Sequence, residues 1–154
     1  MKQQNKINKG FTIIEVVLVL AIAGLIFLMI FIALPALQRN QRDTQRRDDV
    51  GRFMSQLEQF RTNNRGAAPT VVQADTNPMG AFIDRYLDGG RDFRDPSTDA
   101  VYVQRDTQGT VNNAGDYFYA TGMRCDGENA VAGNARQAAI IMRLEGSGVY
   151  CQSN

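Results

Sequence analysis

From Phe11 to Leu37 the chain runs 27 residues in which only Thr12, Glu15, Gly24 and Pro35 lie outside the hydrophobic class. Within it, Val16 to Leu34 spans 19 residues without a charge. As a helix that stretch covers about 28 Å, close to the hydrocarbon thickness of a bilayer. Its apolar residues surround the helix instead of forming one stripe, which excludes an amphipathic surface helix. The run therefore predicts a membrane-spanning segment. It is too long for the apolar core of a typical secretory signal, and Leu34-Pro35-Ala36-Leu37-Gln38 at its far end lacks an A-x-A cleavage site. Hydropathy alone is equally compatible with an ordinary N-terminal anchor.

The remaining chain is more polar. The whole chain of 154 residues fits one domain, or one small domain with an appendage. The absence of His excludes triads, zincins and any imidazole general base. The net charge of +1 gives no reason to expect bulk nucleic-acid binding, but it is unevenly distributed. Residues 1–10 hold all three Lys, for +3; residues 11–37 carry −1, residues 38–65 carry +3 and residues 66–154 carry −4.

The junction between the basic start and the apolar run reads Lys9-Gly10-Phe11-Thr12-Ile13-Ile14-Glu15. It resembles the processing site of type IV prepilins and the related pseudopilins: a short basic leader ending in Gly, then Phe, with Glu fifth after the cut. The resemblance covers roughly residues 1–40. It implies that a prepilin peptidase cuts between Gly10 and Phe11 and that Phe11 is N-methylated. It also implies that the apolar run serves first as a membrane anchor and then as the core of a filament. Other implied partners are further pilins, an assembly ATPase and its membrane platform protein. No cofactor is expected.

Glu15 is the anomaly of the run. A carboxylate at the centre of a bilayer costs about 2.5–3.5 kcal/mol and less near an interface. Read alone, it is a tolerated edge charge that snorkels. Beside the processing motif it has a partner, the free amine of Phe11 on a neighbouring subunit, whose ordinary pKa is about 7.7–8. Pairing them neutralises both charges where either alone is costly, and makes Glu15 a register device for assembly. Gly24 and Pro35 are expected to interrupt the helix. Pro35 removes one backbone hydrogen bond and crowds the Phe31 carbonyl, and Gly24 lowers helix propensity by about 1 kcal/mol. They mark either a kinked anchor or a segment that unwinds in a filament. In the family, Gly and a motif such as Ala33-Leu34-Pro35 lie closer together; here the spacing is longer by nearly one turn.

Orientation is contested by charge. Arg39, Arg42, Arg46, Arg47 and Arg52 follow the run, so the positive-inside rule does not favour the Lys side. The processing site requires the leader inside the cytoplasm and the head outside, and the cysteines agree. Cys125 and Cys151 are read as one disulfide of an exported head, contributing roughly 3–4 kcal/mol by loop closure. A reactive thiol is the weaker alternative, because no His stands near.

Val50, Phe53, Met54, Leu57 and Phe60 recur at helical spacing and predict an amphipathic spine continuing from the apolar run. The Arg and Asp interleaved with them read as a solvated face, with contacts to neighbouring subunits as the alternative. The helix is expected to stop near Asn63–Gly66, with Gly66 as its cap. A connector follows to about Pro96, with one short helix around Phe82–Leu87 ended by Gly89-Gly90. Strands are expected over Ala100–Gln104, Asp116–Thr121, Gln137–Glu145 and Val149–Cys151, the last pair joined through Gly146-Ser147-Gly148. The fold class is α+β, a long helix packed on a small antiparallel sheet. The parts are a leader (1–10), an apolar helix (11–37), a spine (38–65) and a head (66–154).

Two features of the head are ambiguous. Asp84, Asp88, Asp92, Asp95 and Asp99 hint at calcium, but Pro96 and the glycines break the spacing and solvated loop acids fit better. Tyr117, Phe118 and Tyr119 offer stacking surfaces for single-stranded DNA, a minor alternative in a head of net −4. The resulting expectation is a structural pilus subunit, not an enzyme, for adhesion, twitching motility or DNA uptake. Its nearest rival is a pseudopilin of a type II secretion system; a membrane-anchored enzyme using head carboxylates is remote.

Overall fold

The computed structural model describes residues 10–69, 78–146 and 148–154. Expectations for residues 1–9 of the leader, residues 70–77 of the connector and Ser147 lie outside the described residues. The chain divides into two units between Gln38 and Arg39. A single helix, α1 (Ile13–Asn63), contributes to both.

In the first unit, α1 carries Gly24 and Pro35 without a break. Losing the Pro35 amide removes one rung while the rungs on either side remain. Nearly all large hydrophobics from Phe11 to Leu37 stand exposed, from 48% at Val16 and Leu34 to 86% at Phe11 and Ile13.

In the second unit, α1 buries one stripe: Asp43, Arg46, Asp49, Val50, Phe53, Met54, Leu57 and Arg61. The steps of three and four keep these residues on one helix face. The helix ends in a reverse turn in which the Gly66 amide donates to the Arg61 carbonyl at 2.8 Å. Arg65, not Gly66 alone, takes the left-handed conformation that closes it, at φ 57°. Helix α2 (Pro78–Tyr86) follows, ended by a 3-10 turn at Asp88–Gly90.

The strands are β1 (Val103–Gln104), β2 (Asp116–Thr121), β3 (Met123–Asp126), β4 (Asn129–Ala132), β5 (Ala138–Leu144) and β6 (Gly148–Ser153). They form a four-stranded sheet of order β1-β2-β5-β6 and a separate β3-β4 hairpin. Strands β2, β5 and β6 pair antiparallel, with Phe118 opposite Ile141 and Ile141 opposite Cys151. The β1–β2 pair is parallel, so the sheet is mixed and not the all-antiparallel meander expected. The expected strand from Ala100 shrinks to two residues, and Val101 makes only an isolated bridge to Arg94. The β3–β4 hairpin was not expected; its strands are too short and too polar on their exposed side to show as a run. Gly127 opens its two-residue loop at φ 61°, the conformation glycine supplies without cost.

Alternation along β2 and β5 sends side chains to two cores. On the helix side, Phe53 meets Phe82 at 5.2 Å, Tyr119 at 5.4 Å, Phe93 at 5.5 Å and Tyr117 at 6.2 Å. Phe118, Ile141 and Ala139 form the second core with Ala130 of the hairpin and the partly buried Cys125 and Cys151. A disulfide joins those two cysteines. Tyr117, Phe118 and Tyr119 are all buried, so none offers a surface for base stacking. Phe53→Ala should cost about 3–5 kcal/mol, because four rings lose their common neighbour. Urea unfolding of the full chain in detergent, followed by near-UV circular dichroism, measures it; a loss below about 1 kcal/mol contradicts the packing.

Candidate functional site

The residues that the processing motif singles out lie at the start of α1. Gly10, Phe11 and Thr12 are outside the helix, and Gly10 and Phe11 are exposed. The Gly10–Phe11 peptide bond is thus held in no ladder, the condition a peptidase needs to seat an extended backbone. A Cβ on Gly10 would meet nothing within 4 Å. The Thr12 carbonyl opens the helix, accepting from the Glu15 amide at 3.2 Å and the Val16 amide at 3.3 Å.

Glu15 occupies the first turn, where the helix dipole favours an anion. Thr12 and Glu15 have the spacing of a capping box, yet among the described residues no side-chain hydrogen bond or ion pair engages either. The carboxylate is exposed on an otherwise apolar stretch. Its chain supplies no cation for it among the described residues. Gly24 and Pro35 lie further along the same exposed segment, within continuous helix, and Cys125 and Cys151 lie in the second unit. The N-terminal residues thus follow one another along the first unit, and the disulfide belongs to the second.

A second constellation escaped the sequence. Arg46 is fully buried, at 0% exposure, against Asp43, Asp95, Ser97 and Glu145. Its Nη1 donates to Asp43 Oδ1 at 2.9 Å, and Nη2 donates to Asp95 Oδ1 at 2.9 Å and Oδ2 at 3.0 Å. Asp43 also accepts from the amides of Glu145 at 2.8 Å and Gly146 at 2.9 Å, at the end of β5. Arg42 reaches Glu145 Oε2 at 2.7 Å. One turn on, Asp49 accepts from the Tyr102 hydroxyl at 2.6 Å and from Arg52. These contacts fasten α1 to the sheet's far end and to the loop at Asp95. Asp95, Asp43, Arg46 and Asp49 are thus not solvated charges as expected; each has its partners inside. Gly115, at φ 86°, makes room: a Cβ there would run into the Asp95 carboxylate.

The energetics follow from burial opposed by partners. Burial pushes the Asp43 carboxyl up, but the Glu145 and Gly146 amides and the Arg46 guanidinium prevail and hold it below its ordinary value. Burial likewise opposes ionisation of Asp95, and Ser97 and Arg46 outweigh it. Asp116 is held low against burial by Arg105 and the Asn113 and Asn112 amides. Burial, then the Asp49 carboxylate, raises the Tyr102 phenol. The five loop aspartates do not converge, and no group of three or more Cys, Asp or Glu among the described residues can hold a metal ion.

Two outcomes follow from this cluster. Arg46→Met strands two buried carboxylates and should cost about 3–5 kcal/mol. Asp43, Asp95 and Asp116 titrate below their unfolded value of 3.8. Their contribution is complete above that value and is lost as pH falls through the folded ones. Denaturant midpoints should hold steady from about pH 6 down to about pH 4 and then drop. In Arg46→Met the drop should begin at higher pH. A midpoint that rises on acidification contradicts the assignment.

No curated protein and no solved structure matches this chain. Pilin-type proteins polymerise with other pilins and are processed by prepilin peptidase, and the motif that marks them marks structural proteins, not enzymes. An N-terminal apolar helix with that motif fits membrane anchoring before assembly. With the Gly10–Phe11 bond exposed ahead of a bare apolar helix and a lone Glu15, residues 5–31 match the family model of the prokaryotic N-terminal methylation motif, the type IV prepilin signature, which supports a type IV pilin-like or pseudopilin protein.

Proposed function

We propose that this chain is a structural subunit of a type IV pilus. The observation that carries the reading is the prepilin signature over residues 5–31 on a helix segment whose large side chains are nearly all exposed. Prepilin peptidase removes residues 1–10 at the cytoplasmic face and Phe11 is N-methylated. Residues 11–37 anchor the subunit in the membrane and then leave it to pack among identical helices. Residues 38–65 form the spine of the head and residues 66–154 form the outer surface of a cell-surface filament. The assembly ATPase and its platform protein drive extraction.

In this reading Glu15 meets the Phe11 amine of a neighbour. A carboxylate and an ammonium in a low-dielectric core neutralise one another, which sets the axial step between subunits. Gly24 and Pro35 are the places where the helix can yield as it packs. The late Cys125–Cys151 disulfide and the partly buried hairpin suit a head facing an oxidising exterior, and favour a pilus over a type II secretion pseudopilin.

Mass spectrometry of filaments sheared from the cell surface should find a chain that begins at N-methylated Phe11. A chain retained only in the membrane, beginning at Met1, contradicts the proposal. Glu15→Ala should insert and be processed but lower surface filament yield by at least about tenfold, one unlike-charge pair being lost at every step. Undiminished filaments from Glu15→Ala cells remove its role in register.

A further inference from the structure

The C-terminal end of α1 carries a cluster that neither the prepilin motif nor the Arg46 network uses. Glu58, Arg61, Thr62, Arg65, Arg136 and Asn154 line one open groove. Arg61 is only 8% exposed. Its Nη1 donates to Glu58 Oε1 at 3.1 Å, while its Nε is buried with no acceptor at all. A buried donor on a charged group without a partner is costly, and its usual remedy is a ligand or a water. The Tyr119 hydroxyl is buried and unpartnered as well. Burial pushes that phenol up to about 12, and the Arg61 cation pulls it back, so the two groups share one region.

The rim supplies more donors. Arg65 and Arg136 are exposed, and among the described residues neither guanidinium has a hydrogen bond or ion pair. Among the described residues Glu58 is the one side-chain carboxylate lining the groove, and its Oε1 is already taken by Arg61 and by Asn154 Nδ2 at 2.7 Å. Three arginines therefore line one groove with most of their donors unengaged among the described residues, next to a head that is otherwise acidic. A planar fork of N–H groups matches the oxygens of phosphate and carboxylate better than any other ligand group.

We propose that this groove is a binding site for an oxyanion, the phosphate or carboxylate group of a small ligand. Arg61 is its buried guanidinium, and Arg65 and Arg136 are its exposed ones. The site uses none of the residues from Phe11 to Leu37.

The test is isothermal titration of the full chain in nonionic detergent at fixed ionic strength, with inorganic phosphate in one arm and glucuronate in the other. Saturable binding of one equivalent of at least one probe is expected, and the arm that binds tells phosphate from carboxylate chemistry. The double variant Arg65→Gln, Arg136→Gln should bind at least about tenfold more weakly, each lost charged hydrogen bond being of that order. Arg91→Gln, an exposed arginine outside the groove, should bind as before. Both rim positions are exposed, so the fold should persist by near-UV circular dichroism; if the double variant does not fold, Arg136→Gln alone reads the same loss. Binding of neither probe, or binding that the rim variants leave unchanged, overturns the site.

Discussion

One long stretch of this chain cannot be satisfied inside a single copy of it. The large side chains from Phe11 to Leu37 are left mostly bare by folding. Burying such a side chain contributes about 1.5–3 kcal/mol. Leaving the whole stretch in water therefore costs tens of kcal/mol, more than the 5–15 kcal/mol by which a domain is typically stable. The segment must lie in lipid or against other protein, and a subunit that moves from the first to the second exchanges one apolar surrounding for another. Glu15 breaks that equivalence. In lipid it is a cost, while in the proposed filament it would have a cation to meet, so one carboxylate would give direction to an otherwise neutral exchange.

Beyond Gln38 the same helix follows a different rule. Its buried stripe begins with charges, Asp43, Arg46 and Asp49, continues with Val50, Phe53, Met54 and Leu57, and closes on Arg61. The apolar part gives cohesion, through the rings gathered on Phe53. The charged end gives placement, because Arg46 accepts only one geometry in which Asp43, Asp95 and Glu145 all reach it. A buried ion cluster is weak evidence for net stability, but losing one member is expensive, and that asymmetry fixes where the helix lies on the sheet.

Sequence reasoning reached the apolar parts of this architecture and missed the polar ones. The 27-residue run, the face from Val50 to Phe60 and strands β2, β5 and β6 were legible, because hydrophobic spacing records burial directly. Asp43, Arg46 and Asp49 were read as solvated, since charge ordinarily means water. The signal that they were not was their three-residue spacing, in phase with Val50 and Phe53. Asp95 gave no such signal: its partner lies 49 residues away, and only the folded loop joins them. The β3–β4 hairpin was hidden by its length, and the parallel pairing of β1 by the absence of any local mark of strand direction. At the N-terminus the reverse held. Gly10, Phe11 and Glu15 were identified by motif, and the structure adds that the backbone of Gly10 and Phe11 lies outside the helix and that the Glu15 carboxylate has no partner among the described residues.

The central claim is that copies of the same helix cover the bare segment. Cryo-electron microscopy of filaments purified from the cell surface tests it most directly. The account predicts a filament in which residues 11–37 are buried at the axis, with the Phe11 nitrogen of one subunit within about 4 Å of the Glu15 carboxylate of another. Filaments in which those helices face solvent or lipid, or in which Glu15 meets no amine, would contradict it.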